Sequence, residues 1–320
     1  MAIKIISGNA YKEFSEKICK YLNLKLSETI IKKFPDSETY LKCIEKVRGD
    51  DVFVIQPTSR PVNENLMELL IIIDSLKRSS VKKIHVVMPY YGYARQDRRS
   101  SAREPITAKL VANLLTTAGA ERVITVDLHS PQIVGFFDID VDHFEAYPLF
   151  AQHFAKKNLT DVVIVSSDTG FTKRARKFAK LINAPLAIID KRRDEHSKAS
   201  VANVIGNVKD KTCIMLDDLI DTAGTIVAGI DALHENGAKE IYVAATHAVL
   251  SNNGAKLLND SPAKEIIFTD TVPIPKDKMY DKFKIISITE LMAQVIQRIH
   301  DHKSLGELFS WEDKVNVKVN

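Results

Sequence analysis

The sequence has few cysteines, no long apolar segment and little excess charge, and these absences exclude several classes of protein. Cys19, Cys43 and Cys213 are scattered and odd in number, so we expect reduced thiols in a cytoplasmic protein. No apolar run approaches the roughly 20 residues that cross a membrane. The net charge of +4 suits anionic small molecules, and no basic tract carries the interleaved aromatic residues expected of a nucleic-acid-binding surface.

Several familiar short motifs are also missing. No CxxC or HExxH spacing predicts a zinc site, and no Walker A, GxGxxG or kinase signature predicts a standard nucleotide loop. If this protein uses ATP, it binds the nucleotide in another way.

What the chain does contain is a regular alternation of apolar β-branched runs and helical periodicity. Its 320 residues, 45% hydrophobic, are enough for two domains of ordinary size. The alternation predicts an α/β fold with mostly parallel sheets flanked by helices. Strands are predicted at 51–56, 83–89, 122–127, 161–166, 186–189, 212–216 and 240–246, and helices at 64–77, 107–117, 225–236 and 288–302.

A short internal repeat indicates that the two domains are related. Gly119-Ala120 and Gly237-Ala238 both resemble a helix C-cap that leads into a strand, and a histidine follows at the same offset in each copy, as His129 and His247. We therefore predict two similar domains, at 1–148 and 149–294, with a C-terminal tail of about 295–320 that returns to the first. Chance recurrence of a common helix-strand junction is the alternative.

The most informative segment is a buried strand followed by acidic residues and a Thr/Gly turn. Asp217 and Asp218 are predicted where the strand at 212–216 ends, and Thr222, Gly224 and Thr225 open a helix. A helix N-terminus with hydroxyl donors suits a phosphate, while carboxylates suit sugar hydroxyls or a divalent cation. Together they predict a site for a phosphorylated sugar. A solvated turn with an N-cap would explain the Asp pair alone.

Four other strand ends carry polar residues. The loop at 89–99 combines three tyrosines with arginines, which could stack on a base and pair with phosphates, or could be an exposed basic loop with packed tyrosines. His129 could be a metal ligand oriented by Asp127, or a structural histidine. Asp168 follows another strand, where ligands of open α/β sheets bind. Lys191 and its neighbours could stabilise charge on a phosphoryl group, or could simply be solvated.

Taken together, these residues resemble the ribose-phosphate pyrophosphokinases, from about Ile3 to Phe309. The most specific segments are 89–98, 103–110, 127–138, 188–193 and 217–225. The resemblance implies two phosphoribosyltransferase-like domains with the active site between them. It also implies transfer of the diphosphoryl group of ATP to ribose 5-phosphate, with Mg²⁺ as the cofactor and a homohexamer as the assembly.

The resemblance also implies roles for individual residues. Lys191 and Arg193 would be catalytic, stabilising charge on the transferring group, and His129 and Asp168 would bind Mg²⁺. ATP would contact Phe34, Asp36, Ser37 and Glu38, in a loop that could reach a neighbouring subunit, together with Arg95 and Gln96. Ribose 5-phosphate would contact Arg193, Asp217, Asp218, Asp221, Thr222, Ala223, Gly224 and Thr225.

The chain departs from the family pattern in three loops. Ser37 stands where a glycine is usual, and Ser167 and Phe171 replace a proline and a glycine around Asp168. We expect Phe171 to be the sharpest change, because a bulky side chain restricts the backbone. The usual basic, proline-rich loop after Arg193 is replaced by Asp194, Glu195, His196 and Ser197. These changes leave open a second hypothesis, a non-catalytic paralogue that regulates true synthetase subunits.

Overall fold

The computed structural model describes residues 2–192 and 201–309, and its helices and strands alternate along most of the chain. The first part contains β1 (Ile3–Ser7), α1 (Lys12–Leu22), β2 (Thr29–Lys33), β3 (Thr39–Cys43), β4 (Asp51–Ile55), α2 (Val62–Arg78), β5 (Lys83–Met88), α3 (Thr107–Ala118), β6 (Arg122–Val126) and β7 (Asp140–Phe144). The second contains α4 (Tyr147–Ala155), β8 (Val162–Ser166), α5 (Thr172–Leu181), β9 (Leu186–Arg192), β10 (Val201–Ile205), β11 (Thr212–Ile220), α6 (Gly224–Glu235), β12 (Glu240–Ala248), α7 (Gly254–Asp260), β13 (Glu265–Thr269) and β14 (Phe283–Ile286). α8 (Thr289–His300) and α9 (Gly306–Phe309) follow.

These elements form two compact units. Within the described residues, the first unit contains 2–145, 271–273 and 288–309, and the second contains 146–192, 201–270 and 274–287. No helix within these residues is both long enough and apolar enough to cross a membrane.

The first unit is built on a five-stranded parallel sheet in the order β1-β4-β5-β6-β7. β4 is buried along its whole length, as expected for a parallel strand covered on both faces. β2 and β3 form a separate antiparallel hairpin. Polar residues that follow β5 and β6 therefore lie at the same edge of this sheet.

The second unit is built on a seven-stranded sheet in the order β10-β9-β8-β11-β12-β13-β14. Only the pairing of β10 with β9 is antiparallel, and the other described pairs are parallel. The prediction of mostly parallel sheets flanked by helices is confirmed. β9, β8 and β11 are neighbours, so their carboxyl ends bring together the segments that follow them.

The predicted strands are all present, but β9, β11 and β12 extend past their predicted ends at 189, 216 and 246, to Arg192, Ile220 and Ala248. β11 was expected to stop before the Asp pair, yet it continues to Ile220 and carries Asp217 and Asp218 within it. The reason is its partner: β12 is equally long, and the pairing extends to Leu219 with His247 and Ile220 with Ala248. The apolar run alone could not reveal the extension. The apolar pattern of the sequence also did not predict β2, β3, β7, β10, β13 and β14.

The internal repeat is confirmed at the helix-strand junctions. Gly119 and Gly237 both have positive φ, at 123° and 79°. The following N–H groups, of Ala120 and Ala238, donate to carbonyls of the last helical turn at 3.1 and 3.0 Å. The two copies then diverge, because β6 ends at Val126 whereas β12 continues to Ala248. His129 is consequently exposed in a loop, and His247 is buried in a strand.

Candidate active site

Asp217 and Asp218 of β11 are removed from solvent to different degrees, and burial raises the pKa of Asp217. Asp218 is 4% exposed and Asp217 is half-buried. Burial and the nearby charge of Asp218 raise the pKa of Asp217 well above its usual range, although the N–H of Asp218 donates to Asp217 Oδ1 at 2.8 Å. A cation or a set of sugar hydroxyls next to these carboxylates would favour their ionised form. Such perturbed acidic pairs are typical of functional sites.

The turn after β11 presents the start of α6. Ala223 has a left-handed conformation with φ 65°, and its carbonyl accepts the N–H of Val227 at 2.9 Å. The N–H groups that precede Val227 have no partner within a helix that begins at Gly224. Thr222, Gly224 and Thr225 are exposed, and a Cβ built on Gly224 would meet no atom within 4 Å. The turn therefore offers backbone donors, hydroxyls and the positive end of a twelve-residue helix to one region of solvent.

Gly254, a residue that the sequence analysis missed, supports this turn from behind. A Cβ at Gly254 would lie 2.5 Å from the carbonyl oxygen of Asp221 and 3.2 Å from the carbonyl carbon of Thr222. Only glycine lets the start of α7 approach the turn so closely. The sequence offered no local signal, because the requirement comes from a segment some thirty residues away.

Asp168 lies after β8, next to β11, and its carboxylate is held in one orientation. Its Oδ1 accepts the N–H of Phe171 at 2.8 Å, and its backbone carbonyl accepts the Ser166 hydroxyl at 2.7 Å. Phe171 has φ −83° and ψ −7°, which are ordinary helical values. The expectation that Phe171 restricts this loop is therefore wrong, because its backbone conformation is one that any residue adopts.

Cations near Asp168 differ in their surroundings. The guanidinium of Arg174 lies 5.6 Å from the centre of the Phe171 ring and is half-buried, so it does not belong to a simple solvated helix face. Lys173, Arg176 and Lys177 are exposed. Lys191 is in β9, the strand on the other side of β8, and only its backbone is described. Arg193 and the loop from Asp194 to Ser197 lie outside the described residues.

In the first unit, the loop after β5 lines a groove of ≈ 470 Å³. Tyr93, Arg95 and Gln96 form one side, and the first turn of α2, with Asn63 and Glu64, forms the other. Arg95 and the N-terminal end of α2 both favour an anion. The volume falls in the range of small-ligand sites.

Close backbone packing holds this loop in place. The N–H of Gly92 donates to Thr58 Oγ1 at 2.7 Å, and a Cβ at Gly92 would lie 2.5 Å from the Thr58 carbonyl oxygen. The Gln96 carbonyl accepts the N–H of Ala108 at 3.2 Å, which ties the loop to α3. Of the three tyrosines, Tyr90 and Tyr91 are buried at 8% and 2% exposure, so packing explains much of this cluster. Tyr93 is half-buried and, like Tyr90, lines the groove.

The predicted adenine loop is the tip of the β2–β3 hairpin. Phe34 is half exposed, and Asp36, Ser37 and Glu38 are exposed around it. Ser37 has φ 76°, a left-handed conformation that explains why glycine suits this position. An ion pair between Lys33 and Glu64 joins the end of β2 to the first turn of α2, so the loop begins next to the groove.

The two predicted metal ligands belong to different units. His129 is exposed in the loop after β6, where the preceding Asp127 is buried with φ 40°, and Asp168 belongs to the second unit. Within the parts of the chain that the structure describes, no three His, Cys, Asp or Glu side chains converge as a metal site. The described side chains by themselves therefore do not complete a metal site around Asp168 or His129.

Comparisons with known proteins identify the family. Residues 3–119 match the N-terminal domain of ribose phosphate pyrophosphokinase, and residues 195–310 match the phosphoribosyl synthetase-associated domain. The chain is 53% identical over 310 residues to a ribose-phosphate pyrophosphokinase of Caldanaerobacter subterraneus subsp. tengcongensis, covering 97% of this chain and 98% of the relative. The chain belongs to the ribose-phosphate pyrophosphokinase family.

Two further comparisons agree with this assignment. A Bacillus subtilis ribose-phosphate pyrophosphokinase is 50% identical over 96% of this chain and 97% of its own length. The crystal structure of phosphoribosylpyrophosphate synthetase from Mycobacterium smegmatis matches with a TM-score of 0.89 at 42% identity, covering 94% of this chain and 100% of that one. The family resemblance that the sequence motifs indicated is confirmed.

Proposed function

We propose that this chain catalyses the reaction for which its family is named, the transfer of the diphosphoryl group of ATP to the 1-hydroxyl of ribose 5-phosphate. The products are 5-phosphoribosyl 1-diphosphate and AMP. The observation that carries the proposal is the second unit's acidic strand, with Asp217 and Asp218 on β11, followed by the exposed hydroxyls and free N–H groups at the start of α6. This arrangement has partners for each part of a sugar phosphate.

The sugar phosphate would bind with its two ends in different surroundings. The 5-phosphate would accept hydrogen bonds from Thr222, Thr225 and the backbone N–H groups between Asp221 and Thr225, next to the positive end of α6. Asp217 and Asp218 would accept hydrogen bonds from the ribose hydroxyls. Gly224 leaves room for the phosphate, since a Cβ there meets no atom within 4 Å. Holding the sugar at both ends orients its 1-hydroxyl for in-line attack on phosphorus.

ATP would bind through the first unit. Arg95 and the start of α2 favour its phosphates, and Gln96 and Tyr93 line the same groove. The adenine would contact the hairpin tip with Phe34, Asp36, Ser37 and Glu38, as the family resemblance implies. Lys191 and Arg193 would stabilise the charge that develops on the transferred group.

Mg²⁺ is the cofactor that the family implies, and the donor chemistry of Asp168 fits it. Mg²⁺ is usually held by one or two carboxylates together with water and substrate phosphates. Asp168 offers a carboxylate that is oriented by a hydrogen bond to its Oδ1, and within the described residues its Oδ2 accepts no hydrogen bond. His129 is assigned to the same role by resemblance only. When bound, the ion would neutralise phosphate charge and orient the diphosphoryl group.

The assembly and location complete the proposal. We infer a homohexamer in the cytoplasm, with domains at 1–148 and 149–294 and a tail of about 295–320 joined to the first, and no nucleic-acid or membrane partner. The assembly is what the family resemblance implies, and the few scattered cysteines support a reducing compartment.

The test measures AMP formation from ATP by the purified protein with Mg²⁺ and phosphate, with and without ribose 5-phosphate. We expect AMP only with the sugar, in step with phosphoribosyl diphosphate. Asp217→Asn should lower kcat/KM by about 100-fold, because a carboxylate that orients the sugar is lost. Asp210→Asn is the matched control, since Asp210 is exposed in a turn of the same unit with φ 61°.

The opposite outcome is equally informative. If the folded wild-type protein forms no AMP, the synthetase proposal is wrong and the regulatory-paralogue hypothesis takes its place. Equal activity of the Asp217 and Asp210 variants would instead show that the acidic strand is not the sugar site.

A further inference from the structure

Ser167 carries a buried hydroxyl without a hydrogen bond of normal geometry in the described residues. It follows β8 directly and is 1% exposed. Its Oγ is fully buried. The adjacent Ser166 is also buried, but its hydroxyl donates to the Asp168 carbonyl at 2.7 Å. Because a buried polar group without a partner destabilises the folded state, its presence needs an explanation.

The strand register places Ser167 next to Asp217. β8 and β11 are parallel with Ser166 opposite Leu216, so the next residues along the two strands are Ser167 and Asp217. A side-chain interaction with the Ser167 hydroxyl lowers the pKa of Asp217, against the larger opposing effects of burial and Asp218, although this contact lacks the geometry of a normal hydrogen bond. Rotation about one side-chain bond is enough to direct a hydroxyl proton toward a neighbouring acceptor.

We propose that Ser167 is a positioning residue for Asp217, whose hydroxyl donates to the Asp217 carboxylate when ribose 5-phosphate is bound. The inference rests on the proposed function, because it assigns Asp217 to the sugar. The N–H of Asp218 already binds Asp217 Oδ1 at 2.8 Å, so a second donor would fix the orientation of the carboxylate plane toward the ribose hydroxyls. Hydrogen bonds to an ionised acceptor are stronger than neutral ones.

This role differs from simple packing in a measurable way. A packing residue stabilises the free protein, so its removal lowers the melting temperature. The Ser167 hydroxyl makes no hydrogen bond of normal geometry in the free protein, so its removal should raise the melting temperature while weakening sugar binding. Thr125 is a matched control: its hydroxyl is also buried without a partner in the described residues, but it lies within β6 of the other unit.

The experiment compares Ser167→Ala, Thr125→Val and Asp217→Asn in the full-length protein. We expect Ser167→Ala and Thr125→Val both to raise the melting temperature, by about 2–4 °C. Only Ser167→Ala should weaken ribose 5-phosphate binding, measured by calorimetry without ATP, and raise KM for the sugar, each by about tenfold. The effect of Ser167→Ala on binding should disappear when Asn replaces Asp217, because Ser167 acts through that carboxylate.

The outcomes separate the two claims. If Asp217→Asn weakens sugar binding but Ser167→Ala does not, or if the two effects add, the positioning role is wrong and the sugar site stands. If Asp217→Asn leaves sugar binding unchanged, both the sugar site and the role of Ser167 are wrong. A lower melting temperature for Ser167→Ala would show that the hydroxyl is structural.

Discussion

Replacing Gly254 by alanine should damage the phosphate-binding turn without replacing any residue proposed to contact substrate. The added Cβ would lie 2.5 Å from the Asp221 carbonyl oxygen, where ordinary contacts begin at 3.4 Å. Either α7 or the turn must therefore move by about 1 Å. Since both are backbone, neither can yield by rotating a side chain.

The magnitude follows from this displacement. Overpacking a buried site typically costs about 1–3 kcal/mol, and a misplacement of about 1 Å can cost up to about 100-fold in rate. We expect Gly254→Ala to raise KM for ribose 5-phosphate by at least about tenfold, because the N–H groups of the turn no longer converge on the phosphate. The KM for ATP should change little, since the proposed ATP groove is in the first unit.

The assay is steady-state kinetics with each substrate varied, together with thermal stabilisation by ribose 5-phosphate. Gly135→Ala is the control, because a Cβ at Gly135 would meet no atom within 4 Å. A Gly254 variant with the wild-type KM for the sugar would refute the claim that this glycine shapes the turn. An equal loss in the Gly135 variant would show that any Gly→Ala change has the same effect.

Two further predictions concern the first unit. Burial lowers the pKa of His85 from 6.5 to about 4, because the charged imidazolium is disfavoured in the core. The contribution of neutral His85 to stability is therefore complete above pH 6.5 and declines as the pH falls toward 4. Between about pH 7.5 and about pH 5 the loss is about 2 kcal/mol, and His85→Phe should abolish it in thermal melts; an unchanged acid dependence would show that other groups cause it. Ser37→Gly should stabilise the hairpin tip by about 0.5–1 kcal/mol relative to Ser37→Ala, because φ is 76° at this position. Hydrogen exchange of the hairpin amides would measure the difference. Equal protection in the two variants would argue against a left-handed Ser37.

Several features of the site were already predictable from local sequence. The turn from Asp221 to Thr225 follows an apolar run and precedes a periodic one, and both signals depend only on neighbouring residues. The glycine caps at Gly119 and Gly237 are local in the same sense, since positive φ is a property of one residue and its turn. The ordered motifs identified the family for the same reason.

The conformation of Phe171 and the burial of Tyr90 and Tyr91 depend on residues distant in sequence. Predictions from neighbouring residues alone were therefore wrong for Phe171 and undecided for the tyrosines. Phe171 was expected to restrict the backbone of its loop, but the loop's path gives it helical φ and ψ values that any residue adopts. Tyr90 and Tyr91 resemble a stacking surface in the sequence, yet the surrounding core buries them. Burial is decided by what packs against a residue, which periodicity does not specify.

The sequence by itself determined the alternation of strands and helices, the helix caps and the chemical character of each loop, because these follow from short-range propensity and backbone geometry. Only the tertiary structure decided that β11 extends through Asp217 and Asp218, that Ser167 lies next to Asp217, and that the start of α7 presses on the phosphate-binding turn. Each of these depends on strand pairing or helix packing between distant segments, and the register of such contacts is fixed by the fold as a whole.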